Sequence, residues 1–95
     1  MSELQQTENG SVALSRNQLM PDVQRIGTRQ IEITYLGKNA DGLPTWIMWN
    51  ADEPMFIGML RQGKMGYHFE QRTSSGVLLL ENISLSRVQR ALGGY

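Results

Sequence analysis

The sequence predicts an α+β domain: an antiparallel β-meander of four to five strands, one C-terminal helix packed on a face, and a flexible N-terminal arm. Three observations carry this reading. Short apolar stretches recur between residues 30 and 82 with turn chemistry between them. An amphipathic helical pattern follows them. Several stretches are apolar on both faces, whereas one helix covers only one face of a sheet. The second face must meet a partner, unless the sheet curls into a small SH3-like or Sm-like β-barrel, which is the alternative architecture.

Residues 1–20 are rich in Gln, Ser, Asn and Glu, with Val12, Leu14 and Leu19 scattered among them. That composition predicts a mobile arm ahead of a single small domain over 21–95. Pro21 suits a first helical position, Asp22 the positive end of a helix dipole, and Gly27 a stop, so a short helical turn is expected there with Val23 and Ile26 on one face.

The first strand is expected at 30–36, where Ile31, Ile33 and Tyr35 alternate with Glu32 and Thr34. Asp41-Gly42 is a hairpin signal, and Pro44 cannot donate to a ladder, so the second strand follows it. In that strand Trp46 and Met48 share one face and Ile47 and Trp49 the other. After a turn at 51–54, strict alternation in the third strand sets Met55, Ile57 and Met59 against Phe56 and Leu60. Gly58 interrupts the second row, which suggests a bulge or a close approach by a neighbouring ring.

Residues 62–66 read as a glycine-bounded hairpin tip, followed by a strand with Tyr67 and Phe69 inward and His68 and Glu70 outward. The run 77–80, all Val and Leu, has the composition of a strand covered on both sides. Ser84 is then an N-cap with Ile83 placed as a hydrophobic staple on Val88. Leu85, Val88 and Leu92 form one helical stripe, with Arg87 and Arg90 away from it and Gly93 placed for a C-cap.

Composition narrows the function. The 95 residues carry a formal net charge of zero and no cysteine. Thiolate chemistry, disulfides and cysteine metal sites are thereby excluded. Through Leu60 there are four basic residues (Arg16, Arg25, Arg29, Lys38) against seven acidic ones (Glu3, Glu8, Asp22, Glu32, Asp41, Asp52, Glu53). From Arg61 onward there are five (Arg61, Lys64, Arg72, Arg87, Arg90) against two (Glu70, Glu81), a mild dipole of minus three and plus three. No apolar run reaches the length of a signal peptide or membrane span, so a soluble, cytoplasmic protein with no membrane partner is expected.

Isolated polar residues give no catalytic constellation. His68 is the only histidine and sits on the polar side of its strand; one histidine builds no zinc site. Asp52 and Glu53, ahead of Pro54, shape a turn. Gly63-Lys64 lacks the Ser or Thr, the spacer and the upstream glycine of a phosphate loop. An enzyme is therefore not expected, and neither cofactor nor metal is called for.

The densest feature is aromatic and sulfur-rich: Trp46, Met48, Trp49, Met55, Met59 and Met65. Trp46, Met48 and Met55 read as core. On an open sheet, Ile47, Trp49, Phe56 and Leu60 would present an apolar patch of a kind that monomers rarely leave uncovered. The expected function is a small non-enzymatic protein-interaction module: an adaptor, accessory subunit or inhibitor of a larger machine. Such a module would bind another protein, or itself as a homodimer, through that face. The competing expectation is a nucleic-acid-binding regulator using Arg61, Lys64, Arg72, Arg87 and Arg90.

Overall fold

The computed structural model describes residues 13–93, and in them the expected meander has six strands rather than four or five. They are β1 (Asp22–Ile26), β2 (Arg29–Lys38), β3 (Pro44–Asn50), β4 (Met55–Gln62), β5 (Tyr67–Thr73) and β6 (Gly76–Ile83), followed by helix α1 (Leu85–Gly93). Every strand pairs antiparallel with its chain neighbours in the order β1-β2-β3-β4-β5-β6. β1 and β6 do not pair with each other, so the sheet is open and not a closed barrel. It curls nonetheless, since α1 packs against β1, β2 and β5 at once.

β1 stands where a helical turn was expected. Ile26 pairs with Arg29, so Gly27 and Thr28 make a two-residue turn, and Gly27 at φ 63° supplies the positive φ such turns require. The buried residues of β1 are Gln24 and Ile26, two apart as in a strand. Gln24 tolerates burial because its amide is satisfied. Nε2 donates to the Ala13 carbonyl at 2.5 Å and to Asp22 Oδ2 at 2.9 Å, and Oε1 accepts from the Ala13 N–H at 3.0 Å.

The segment ahead of β1 is tied down as well. Leu14 packs against the core, and the Trp46 indole donates to the Ser15 carbonyl at 2.7 Å. Gln18 Nε2 donates to the Leu36 carbonyl at 3.2 Å. These contacts fall within the span over which a mobile arm is expected, 1–20, of which residues 1–12 lie outside the described residues.

The turn after β2 is built on Asn39, whose side-chain oxygen accepts from the Asp41 and Leu43 N–H groups at 2.9 and 3.0 Å. Gly42 takes φ 78° there. The core face of the sheet then reads across the strands as Ile33 beside Met48, and Tyr35, Trp46, Leu60, Phe69 and Leu80 in one row. Ile26, Ile31 and Ile57 join it from the sheet, and Val88 and Leu92 close it from α1.

Register breaks between β3 and β4. Met48 pairs with Gly58, but Trp49 pairs with Phe56, leaving Ile57 as an extra residue on β4. A one-residue insertion swaps the faces on either side of it. Gly58 permits the close approach anticipated for it: a Cβ there would lie 2.3 Å from the Glu70 carbonyl oxygen and 3.1 Å from the Phe69 ring. A second bulge sets two residues of β6, Glu81 and Asn82, against His68 alone, with Asn82 at φ 56°.

The helix begins as expected. Ser84 Oγ accepts from the Arg87 N–H at 3.2 Å, and the Arg29 guanidinium donates to the Leu92 carbonyl at 3.5 Å near the other end.

Candidate functional site

The convex face of the sheet, turned away from α1, carries the apolar residues the core does not use. One row runs Val23, Glu32, Trp49, Phe56 across β1 to β4. The next runs Thr34, Ile47, Met59, Glu70, Leu79 across β2 to β6. Trp49 and Phe56 meet edge to face, ring centroids 5.6 Å apart at 66°. Trp49 remains 38% exposed in that geometry. Beside Phe56 a shallow cleft of about 150 Å³ is lined by Met59, Glu70, Arg72 and Val77, so a charged pair of side chains rims an apolar floor.

Of the four residues expected on this face, the structure brings together Ile47, Trp49 and Phe56 and removes Leu60. Leu60 pairs with Trp46 and is wholly buried in the core. The cause is the bulge at Ile57, which reverses the alternation beyond it. Met59, expected on the inner row, takes the convex place instead, opposite Ile47. Met55, read as core, is 54% exposed at the start of β4.

The five basic residues do not form one patch. Arg87 and Arg90 share an open cleft on the concave side with Gln71, Leu78, Leu80 and Ala91. Arg72 borders the convex cleft instead. Arg61 sits half-buried opposite His68, and Lys64 is exposed at the β4–β5 tip, at the opposite end of β5 from Arg72. A phosphate backbone following Arg87 and Arg90 would not meet Arg72 without passing round the sheet.

His68 is not the freely solvated residue its alternation implied. It is half-buried, its Nδ1 is enclosed without a hydrogen-bond partner, and its ring lies over Gly63, where a Cβ would stand 2.6 Å from Nε2. Asp52 and Glu53 are exposed in the β3–β4 turn, their N–H groups donating to Asn50 Oδ1 at 3.0 and 3.2 Å. Among the described residues no three of His, Asp and Glu gather as a metal site would require, and no helix is long and apolar enough to cross a membrane.

The largest departure concerns β6. Val77, Leu78 and Leu79 were expected to be covered on both sides, yet they are 59%, 47% and 49% exposed, on a strand at the edge of the sheet. Nothing in local sequence distinguishes an apolar strand buried at the centre of a sheet from one exposed at its rim. Compared with protein-family models, with curated proteins and with solved structures, the chain matches none.

Proposed function

We propose that this protein is a small non-enzymatic interaction module that docks another polypeptide on its convex sheet face. The observation that carries the reading is the Trp49–Phe56 pair, held edge to face at 5.6 Å on a surface that the helix does not cover. Ile47 and Met59 lie in the neighbouring row, half-buried, and extend the apolar floor. Large aromatic side chains supply much contact area for little rotamer freedom lost on binding, and Trp is enriched among the residues that dominate interface energetics. Glu32 in the same row, and Glu70 and Arg72 beside the cleft, supply a polar rim.

Trp49→Glu tests this reading. The variant keeps the circular dichroism spectrum of the wild type and loses capture of a partner from extract of the native host, because an unpaired charge in an apolar interface is costly. A variant that still captures the same partner overturns it. The second reading, phosphate binding by Arg87 and Arg90, rests on those two guanidinium groups sharing one cleft. Salt separates the two: phosphate binding falls steeply between 50 and 200 mM salt, and apolar docking does not.

A further inference from the structure

The two rims of the sheet differ in kind. β1 is short, carries Asp22 and Arg25, and is bridged to the preceding segment through Gln24 and Ala13. Those are devices by which edge strands avoid pairing. β6 has almost none of them. Its first five residues, Gly76 to Leu80, hold no charge and no proline, and three consecutive apolar side chains stand about half exposed. Alternate residues of an edge strand direct N–H and C=O outward, so this rim is an open ladder with apolar side chains above and below it.

We propose that β6 pairs antiparallel with β6 of a second copy of this chain, about a two-fold axis at Leu79. The occupant is identified by the strand's self-complementarity. Centred on Leu79, the pairing sets Leu78 against Leu80 of the second copy on the concave side, and Val77 against Glu81 of the second copy on the convex side. Glu81 is the one charged residue of β6, and this register keeps the two copies of it at opposite ends of the interface. Arg72 already flanks Val77 from β5. Glu81 of the second copy therefore falls in the same cross-strand row as Arg72, two strand spacings or roughly 10 Å away between backbones. Extended Arg and Glu side chains span that gap over Val77. Two such pairs form, one at each end of the interface.

The geometry also limits the assembly to a dimer. A two-fold contact uses each β6 once, and the rim that remains free on each copy is the protected β1. The bulge at Glu81–Asn82 ends the regular stretch and gives the pairing a defined stop. Dimerisation joins the two convex faces into one continuous surface, through Leu79 in the row of Ile47 and Met59. The inference does not rest on the docking role of Trp49: that residue lies on β3, away from the rim, and either proposal can fail alone.

Sedimentation equilibrium on the purified chain between about 1 and 100 µM, a span that brackets ordinary transient affinities, reads the result. The wild type sediments as a dimer in the upper part of that range. Leu79→Lys, at a side chain half exposed in the free protomer, keeps the circular dichroism spectrum of the wild type and raises the dissociation constant at least tenfold. Arg72→Glu and Glu81→Arg each weaken the dimer, and the double variant Arg72→Glu/Glu81→Arg restores it, which a merely destabilised fold would not do. A wild type monomeric at 100 µM overturns the proposal, as does a species that grows beyond dimer with concentration. A dimer that dissociates with Trp49→Glu and not with Leu79→Lys overturns it too, by assigning self-association to the convex face.

Discussion

The indole Nε1 of Trp46 donates to the carbonyl oxygen of Ser15 at 2.7 Å, across 31 positions of sequence. The Arg16 guanidinium lies 5.9 Å from the centre of the same indole and also donates to Gln62 Oε1 at 2.7 Å. A core tryptophan needs a partner for its N–H, and the segment before β1 provides it. These residues act as a strap across β3 and the end of β4.

Removing residues 13–18 in addition to 1–12 should lower the thermal midpoint relative to a chain that lacks 1–12 alone. The truncation removes the acceptor of the Trp46 N–H and both bonds between Gln24 and Ala13, leaving Gln24 only its bond to Asp22; each buried polar group left unpaired costs about 1–3 kcal/mol. For a domain of this size each kcal/mol moves Tm by about 4–8 °C. Equal midpoints for the two truncations would show that the strap contributes nothing.

Leu60→Ala and Met59→Ala probe the bulge at Ile57. Leu60 is wholly buried beside Trp46, so its truncation costs about 3 kcal/mol. Met59 lies half-buried on the convex face, and its loss costs about 1 kcal/mol. Urea denaturation of both variants checks the order. If the costs come out reversed, the β4 register is the strictly alternating one.

Leu92→Ala should cost about 2–3 kcal/mol, since this side chain and Val88 are the fully buried ones that α1 contributes to the core. The loss is a large share of the stability of so small a domain. An unaltered denaturation curve would make the helix a surface appendage.

Gly58→Ala forces a methyl group to within 2.3 Å of the Glu70 carbonyl oxygen. Backbone cannot yield as a side-chain tip can, so β4 and β5 must part locally, at a cost of about 1–3 kcal/mol. Amide hydrogen exchange at Glu70 and Gln71 should accelerate in the variant relative to the β1–β2 hairpin.

Much of the architecture was legible in the residues. Ile31, Ile33 and Tyr35 announce β2 by alternation, and Ser84 with Leu85, Val88 and Leu92 announces α1. β1 escaped because one of its two buried residues is Gln24, whose polarity hides the period of two; its burial depends on Ala13, which no local pattern reveals. The convex patch was legible through Ile47, Trp49 and Phe56, all of which precede the inserted Ile57 in the chain. Past it, Leu60 and Met59 exchanged places, since a bulge depends on how two strands meet and leaves only Gly58 as a local trace. The exposure of β6 was illegible for a different reason: an apolar run reads the same whether its strand lies at the centre of a sheet or at its rim.

The contact between Arg29 and Leu92, 63 positions apart, closes the chain over a long span. Each hairpin of the meander closes over a short loop, at little entropic cost, and so each can form early. The helix must instead return across the whole sheet to meet β1 and β2, a closure whose cost grows with the logarithm of the intervening length. By this entropic argument docking of Val88 and Leu92 is expected after the hairpins close, and before it Ile31, Trp46 and Phe69 lack the cover that the helix gives them. The interval before docking is when this chain is most exposed to aggregation.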